Sequence, residues 1–445
     1  MNTPICDFVR QYAAGNTLRL HMPGHKGQVF LGPEPLDLTE ISGADSLYEA
    51  DGIIARSEEN ASLLFGCETL YSTEGASQCI RAMVRLAMQY ASLRGKKPVI
   101  AAGRNAHKTF LSAAALLDAD VVWLYPEGEE SYLSCRPNAE TVEQILLETQ
   151  AAAVYVTSPD YLGRLCDVSA LAEVCHRHGA LLLVDNAHGA YLRFLPLSMH
   201  PMDLGADLCC DSAHKTFPVL TGGAYLHLAE NLPQEVKGQA RNSMALFGST
   251  SPSYLILQSL DLANAYLSDY QERLKAFLPS VQKLKDGLRA LGYTLWEEEP
   301  LKLTIAAHAY GYSGQEFADL LRKQEIECEF ADPDFTVMML TPETGKEGLF
   351  RLYAAMAAVE QKGALTVQPP TFAHPQKAMS IRQATMALCE TVPVEKSAGR
   401  VLASPSVGCP PAVPIAVCGE VIDEATIACF RYYGIEKCTV VEEEN

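Results

Sequence analysis

Apolar residues along this chain switch between two periods. From Gly75 to Arg94 they recur at helical spacing, with Ile80, Met83, Val84 and Ala87 on one face. Short apolar runs alternate with such segments. Pro98–Ala102, Val121–Leu124 and Ala151–Thr157 read as strands, and Lys108–Leu117 reads as a helix between the first two. Val168–His178 is helical in pattern, and Gly179 closes it as a C-terminal glycine would. Ala180–Val184 is then a continuous apolar run, the pattern of a parallel strand covered on both faces. Strands and helices alternating through short connections predict an α/β domain with a largely parallel sheet. Beyond Ser251-Pro252, Tyr254–Leu291 predicts one long helical stretch leading to a second domain. There, strands at Lys302–Ala306 and Thr336–Leu340 flank a helix at Gly314–Gln324. A break at Gln368-Pro369-Pro370 precedes a last unit. The first sixty residues, rich in Gly, Pro and charge, predict an extended arm or a set of loops. The expected parts are therefore 1–60, 61–290, 291–366 and 367–445.

Composition narrows the class. The chain has 445 residues, 48% hydrophobic and 20% charged, which are ordinary globular values and exclude a disordered chain or a fibre. The net charge is −19 and no Lys/Arg-rich run occurs, so a nucleic-acid partner is not expected. No stretch approaches the ~18 apolar residues of a membrane span. The first thirty residues show no secretory apolar core, and a cytoplasmic protein is expected. Fourteen cysteines are scattered without a C-x-x-C pair, which points to reduced thiols and to no metal site.

The chemistry concentrates in Leu183-Val184-Asp185-Asn186-Ala187-His188-Gly189 and Asp211-Ser212-Ala213-His214-Lys215-Thr216. Ligands of open α/β sheets collect at the carboxyl ends of strands. Asp185, directly after an apolar strand, is expected at that rim, where a fixed carboxylate can pair with a buried cation. Lys215, thirty residues on, has polar neighbours and can form a Schiff base with a carbonyl. Pyridoxal phosphate requires this pair of roles: a carboxylate to keep the pyridine nitrogen protonated and a lysine to carry the carbonyl carbon. Ser72-Thr73-Glu74-Gly75-Ala76-Ser77 precedes a predicted helix whose N-terminal amides favour an anion, making a candidate phosphate cup. His107, in Arg104-Asn105-Ala106-His107-Lys108, is expected at the same rim, with a flat ring suited to stacking on a planar cofactor. Taken singly, each of these residues reads more readily as a cap, a turn or a surface group. Their combination points to a pyridoxal-phosphate site.

The chain resembles the bacterial Orn/Lys/Arg decarboxylases over nearly its whole length. His21-Met22-Pro23-Gly24-His25-Lys26-Gly27 is similar to that family's H-x-P-G-H-K-G opening, and Asp37-Leu38-Thr39-Glu40 to its D-x-T-E stretch. Arg104-Asn105-Ala106-His107-Lys108 matches R-N-x-H-K, Thr157-Ser158-Pro159-Asp160-Tyr161-Leu162-Gly163 resembles T-x-P-T-Y-x-G, and Ser212-Ala213-His214-Lys215-Thr216 matches S-x-H-K-T. Thr250-Ser251-Pro252-Ser253-Tyr254 matches T-S-P-S-Y, and Met379-Ser380, Arg382, Gly399-Arg400 and Gly419-Glu420 resemble the C-terminal domain.

The resemblance implies a fold-type-I, aspartate-aminotransferase-like pyridoxal-phosphate enzyme: a large domain with a mostly parallel sheet, a smaller α/β domain and a C-terminal domain. It implies decarboxylation of arginine, lysine or ornithine, with a place in polyamine synthesis. It makes Lys215 the cofactor lysine, Asp185 the ring-nitrogen partner and His107 the stacking residue. Gly75, Ala76 and Ser77 hold the phosphate, with Ser212 and His214 near it, and His188 lies beside the ring. His214 or Lys215 returns the proton. Thr250 or Ser251 reaches the phosphate from a second copy, so a homodimer with shared sites is expected. The ring-shaped decamer of the long members is not expected. The chain departs from the family at Asn186, where Glu is usual, at Ala76, at Thr221-Gly222-Gly223, and at 407–414. Another fold-type-I aminotransferase or lyase, or a non-catalytic cofactor-binding protein, are the competing readings. For the cation of a basic substrate the candidate partners are Asp45, Glu329, Asp332 and Glu420.

Overall fold

A computed structural model describes every residue except 127, 129, 130, 297, 372, 373, 405–411, 444 and 445. The departure at 407–414 therefore lies largely outside the described residues. In chain order the strands are β1 (Glu68–Ser72), β2 (Val99–Gly103), β3 (Asp120–Leu124), β4 (Ala153–Thr157), β5 (Leu181–Asp185), β6 (Leu208–Asp211), β7 (Ala224–Leu228), β8 (Leu295–Trp296), β9 (Lys302–Ala306), β10 (Phe330–Ala331), β11 (Phe335–Met339), β12 (Cys389–Pro393) and β13 (Lys437–Val441). The chain divides into two compact units, Met1–Lys97 with Val168–Leu274, and Pro98–Asp167 with Lys275–Asn445.

In the first unit the strands lie in the order β1-β7-β6-β5. β5 and β6 are parallel, with Asp185 opposite Cys210; β7 runs antiparallel to both β6 and β1. All five residues of β5 are buried, as the unbroken apolar run requires. The helix Ala76–Leu93 turns its predicted stripe inward, and Ile80, Met83, Val84 and Ala87 are all buried. The helix Val168–Arg177 is followed by Gly179 at φ +61°, whose N–H donates to the His176 carbonyl. That left-handed conformation favours glycine.

Two expectations need correction here. The first sixty residues are not only arm and loops. Helices Pro4–Ala14 and Ile53–Phe65 bracket the irregular stretch. Each has an apolar face: Ile5, Cys6 and Val9 in the first, Ile54, Ala61 and Phe65 in the second, all buried. Asp261 accepts from the backbone N–H of Ile5 and Cys6 (3.0 and 2.9 Å) and so binds the first helix start. Tyr254–Leu291 is two helices, Tyr254–Leu267 and Tyr270–Ala290; Ser268 N–H turns back to the Ala265 carbonyl at the joint.

In the second unit β2 lies between β4 and β3, all parallel, with helices Lys108–Leu117 and Ala139–Thr149 in the connections. A four-stranded antiparallel sheet, β10-β11-β9-β8, and the antiparallel pair β12-β13 follow. Phe330, Phe335, Val337, Leu402, Ile415 and Phe430 belong to one hydrophobic core that joins the β10–β11 region to the C-terminal segment. No helix among the described residues is long and apolar enough to cross a membrane. The mixture of α/β layering and predominantly parallel pairing around β2 and β5 is the predicted fold class.

Candidate active site

The site in the first unit is built on the carboxyl ends of two neighbouring parallel strands. Asp185 is the last residue of β5, one position earlier than a post-strand turn would put it, and is 2% exposed. Its Oδ1 accepts from Ala187 N–H at 3.2 Å and lies 3.6 Å from Cys210 Sγ. On β6, Asp211 ends the strand, and the short helix Ala213–Thr216 then carries Lys215. Lys215 Nζ stands 2.9 Å from Nε2 of His188, three residues beyond Asp185. The two strand ends thus bring Asp185, His188 and Lys215 to one rim, as expected for an open α/β sheet.

The phosphate-cup segment adjoins that rim through a glycine turn. The helix Ala76–Leu93 starts directly after Gly75, which has φ +71°. Gly75 N–H donates to the Gly222 carbonyl at 2.7 Å, and His214 N–H and Nδ1–H both donate to the Gly223 carbonyl (3.2 and 3.0 Å). Gly222 has φ +100°, and a Cβ there would stand 2.9 Å from the Thr73 carbonyl oxygen, so only glycine lets the two loops approach. This turn, noted in sequence only as a departure, connects Gly75, Ala76 and Ser77 to His214. The hydroxyls of Thr73 and Thr216 are buried and have no hydrogen-bond partner among the described residues. Buried polar atoms are nearly always satisfied, so two orphaned hydroxyls beside a helix start and a lysine fit an anionic ligand. Ser212 is buried, whereas Thr250 and Ser251 are exposed, in the loop before the Ser253-capped helix.

Behind the rim lies a cluster the sequence reading missed. Asp211 is fully buried and its Oδ2 accepts from Nε2 of both His200 (3.0 Å) and His227 (3.1 Å). Its Oδ1 accepts from Asn186 Nδ2 at 2.6 Å. Burial alone would raise the Asp211 carboxyl; the two histidines reverse this and hold it below the usual carboxylate range. Burial also disfavours a charged His227, but Asp211 outweighs that and raises it. His200, Cys209 and Asp211 bring ligand-type atoms within 4.8 Å of one another. The protonation pattern is that of hydrogen bonding: His200 Nδ1 accepts from Met202 N–H, so its proton sits on Nε2, facing Asp211.

In the second unit, His107 caps the helix Lys108–Leu117. Its Nδ1 accepts from Thr109 N–H at 3.1 Å, which fixes the ring and places the proton on Nε2. Arg104 is buried and pairs with Glu420 at 2.9 Å; it also donates to the carbonyls of Pro414 and Ile415. Of the four candidate substrate acids, two are corrected by their partners. Glu420 is committed to Arg104 and to Val417 N–H. Asp45, in the first unit, accepts from the N–H groups of Ser46, Asp51, Gly52 and Ile54 and so caps the helix Ile53–Phe65. Glu329 is exposed and accepts from Tyr161 OH at 2.9 Å. Asp332 is buried, holds a turn through Asp334 and Phe335 N–H, and keeps Oδ2 without a partner among the described residues.

Comparison with known proteins decides the family. The profile for the Orn/Lys/Arg decarboxylase major domain matches residues 3–291, and that for the family's C-terminal domain matches residues 359–438. The chain belongs to the Orn/Lys/Arg decarboxylase family. An arginine decarboxylase of Bacillus subtilis (strain 168) is 29% identical over 96% of this chain and 92% of its own length. An arginine decarboxylase of Halalkalibacterium halodurans is 30% identical over 96% of this chain and 93% of its own. The crystal structure of the Francisella novicida lysine decarboxylase LdcF superposes with a TM-score of 0.81, at 16% identity, over 99% of this chain and 81% of that one. Family membership makes this chain a decarboxylase of fold type I, and the family implies pyridoxal phosphate.

Proposed function

We propose that this decarboxylase binds pyridoxal 5′-phosphate on Lys215 and removes the carboxyl group of a basic amino acid (arginine, lysine or ornithine) as carbon dioxide, leaving the amine. The observation that carries the reading is Asp185, His188 and Lys215 at the adjacent ends of β5 and β6, with Lys215 Nζ 2.9 Å from His188 Nε2. When bound, the cofactor accepts the electron pair left by the departing carboxylate. Asp185, buried at the end of β5, would be the partner that keeps the ring nitrogen protonated. Gly75, Ala76 and Ser77 grip the phosphate through the helix start, with Ser212 and the Thr73 and Thr216 hydroxyls beside it. His107 is the residue that the family resemblance would assign to stacking on the ring. His188, 2.9 Å from Lys215 Nζ, would exchange a proton with that lysine, and His214 or the reprotonated Lys215 would return a proton to the carbon that lost its carboxylate.

Among the acids, Glu329 and Asp332 are the proposed partners of the substrate's distal cation: Asp45 and Glu420 are buried and held by internal donors, whereas Asp332 keeps Oδ2 without a partner among the described residues and Glu329 is exposed. A buried cation requires such a partner. The proposed working form is a cytoplasmic homodimer in which Thr250 and Ser251 reach the phosphate bound by the other copy, with the parts 1–60, 61–290, 291–366 and 367–445 as its domains. A role in polyamine synthesis follows from an amine product. The test is a substrate screen: arginine, lysine, ornithine and an uncharged analogue of equal length are each assayed for amine. Preference for a cationic substrate, lost through KM in Glu329→Gln or Asp332→Asn, supports the reading. Preference of the wild-type enzyme for the uncharged analogue overturns the basic-substrate part.

A further inference from the structure

Asn186 occupies a joint between the two functional groups of β5. Its backbone N–H donates to the Cys210 carbonyl at 3.0 Å, holding the register of β5 on β6, and its carbonyl accepts from Gly189 N–H at 2.8 Å, closing the turn that carries His188. Its side chain is fully buried. Only one edge of the amide is engaged. Nδ2 donates to Asp211 Oδ1 at 2.6 Å, while Oδ1 has no partner among the described residues. The side-chain anchor therefore runs entirely through Asp211. That carboxylate is fixed from its other side by His200 and His227; His227 Nδ1 in turn lies 3.0 Å from Thr69 Oγ1 on β1. Nothing in this cluster is exposed, so its hydrogen bonds act in a low-dielectric interior where they are strong.

We propose that Asn186 is a positioning residue whose amide, clamped by the buried Asp211–His200–His227 cluster, sets the orientation of Asp185 toward the cofactor's ring nitrogen and of His188 toward Lys215. This rests on the pyridoxal-phosphate reading above. The choice of amide matters chemically. An amide donates to the Asp211 carboxylate at every pH. A carboxyl group in its place donates only while a proton is shared between two acids, because like charges at this separation do not both ionise.

Two variants test the proposal in the cofactor-loaded enzyme, Asn186→Leu and Asn186→Asp. The readouts are the pH titration of the bound cofactor's visible absorbance, and kcat against KM. Loss of the donor in Asn186→Leu is expected to move the titration midpoint by about one pH unit and to lower kcat about tenfold with KM within twofold. Asn186→Asp is expected to show wild-type absorbance at low pH and an additional titration step at higher pH, where the shared proton leaves. If Asn186→Leu fails to fold, the extra step in Asn186→Asp decides. Wild-type titration curves and kcat in the variants overturn the proposal. A wild-type protein that gains no visible band with pyridoxal phosphate, and no borohydride-fixed cofactor on Lys215, instead overturns the functional reading itself.

Discussion

Lys215 Nζ and His188 Nε2 meet at 2.9 Å, joining the helix after β6 to the turn after β5. With Lys215 as the donor, His188 Nε2 is the acceptor of this contact. The pair is thus placed to exchange a proton. Replacing it by His188→Asn keeps a polar side chain and removes the base. The expected result is a fall in kcat of ~10²-fold or more, the usual weight of general acid–base catalysis. Steady-state kinetics on the preferred amino acid check it. An unchanged kcat removes His188 from proton transfer.

Asp185→Asn tests the ring-nitrogen partner. The substitution keeps the shape and the acceptor for Ala187 N–H but loses the charge. Breaking a buried charge pair costs ~3–5 kcal/mol. If that falls on the transition state, the rate drops by roughly two to four powers of ten, at ~1.4 kcal/mol per decade. A near-normal rate contradicts the role.

The Arg104–Glu420 pair is a structural prediction. Both side chains are buried, and burial pushes the Glu420 carboxyl upward while Arg104 opposes it. Arg104→Met leaves that carboxyl without its cation and is expected to destabilise the protein by ~3–5 kcal/mol. The double variant with Glu420→Gln keeps an acceptor for Val417 N–H and is expected to recover a large part of the loss. Denaturant unfolding of the single and double variants measures the coupling; additive effects contradict the pair.

Asp332 predicts a pH dependence of stability. Burial, with Asp334 adding to it, raises its carboxyl to about 7 against the opposing turn N–H bonds. Its unfolded value is ~3.9, so between ~4 and about 7 the native state binds more protons than the unfolded chain. Its contribution to stability is therefore fully present below ~4, falls as pH rises through that window, and is lost above about 7. Asp332→Asn keeps the Oδ1 acceptor for Asp334 and Phe335 N–H and cannot ionise. The melting temperature of the variant relative to wild type is expected to rise steadily from pH 5 to pH 7.5. A constant difference across that range contradicts the assignment.

How much of this was legible in the sequence follows from the range of the interactions involved. β5 is an unbroken apolar run up to Asp185 and the helix Ala76–Leu93 has a periodic apolar face, so local pattern located them within a residue or so. Asp185 and Lys215 were legible because strand ends and flanking polar residues are short-range signals, whereas His188 was assigned by the family resemblance. The helix Pro4–Ala14 was hidden because the Gly- and Pro-rich stretch after it dominates the window, and because its start is satisfied by Asp261, distant in sequence. The same applies to His200, Asp211 and His227. Each is unremarkable in its own segment, and only the pairing of β6 with β7 brings Asp211 and His227 together. Glu420 and Asp45 stood as candidates for the substrate's cation because no local pattern announces their internal partners, Arg104 and the turn N–H groups.

The most direct test of the central claim follows the carboxyl carbon. Enzyme loaded with pyridoxal phosphate is incubated with carboxyl-labelled arginine, lysine or ornithine, and the label is traced in wild type and in Lys215→Ala. Wild type is expected to release the label as carbon dioxide in equal amount to the amine formed from at least one of the three, and Lys215→Ala to release none. Label retained in a keto acid, or carbon dioxide released equally by Lys215→Ala, would contradict it.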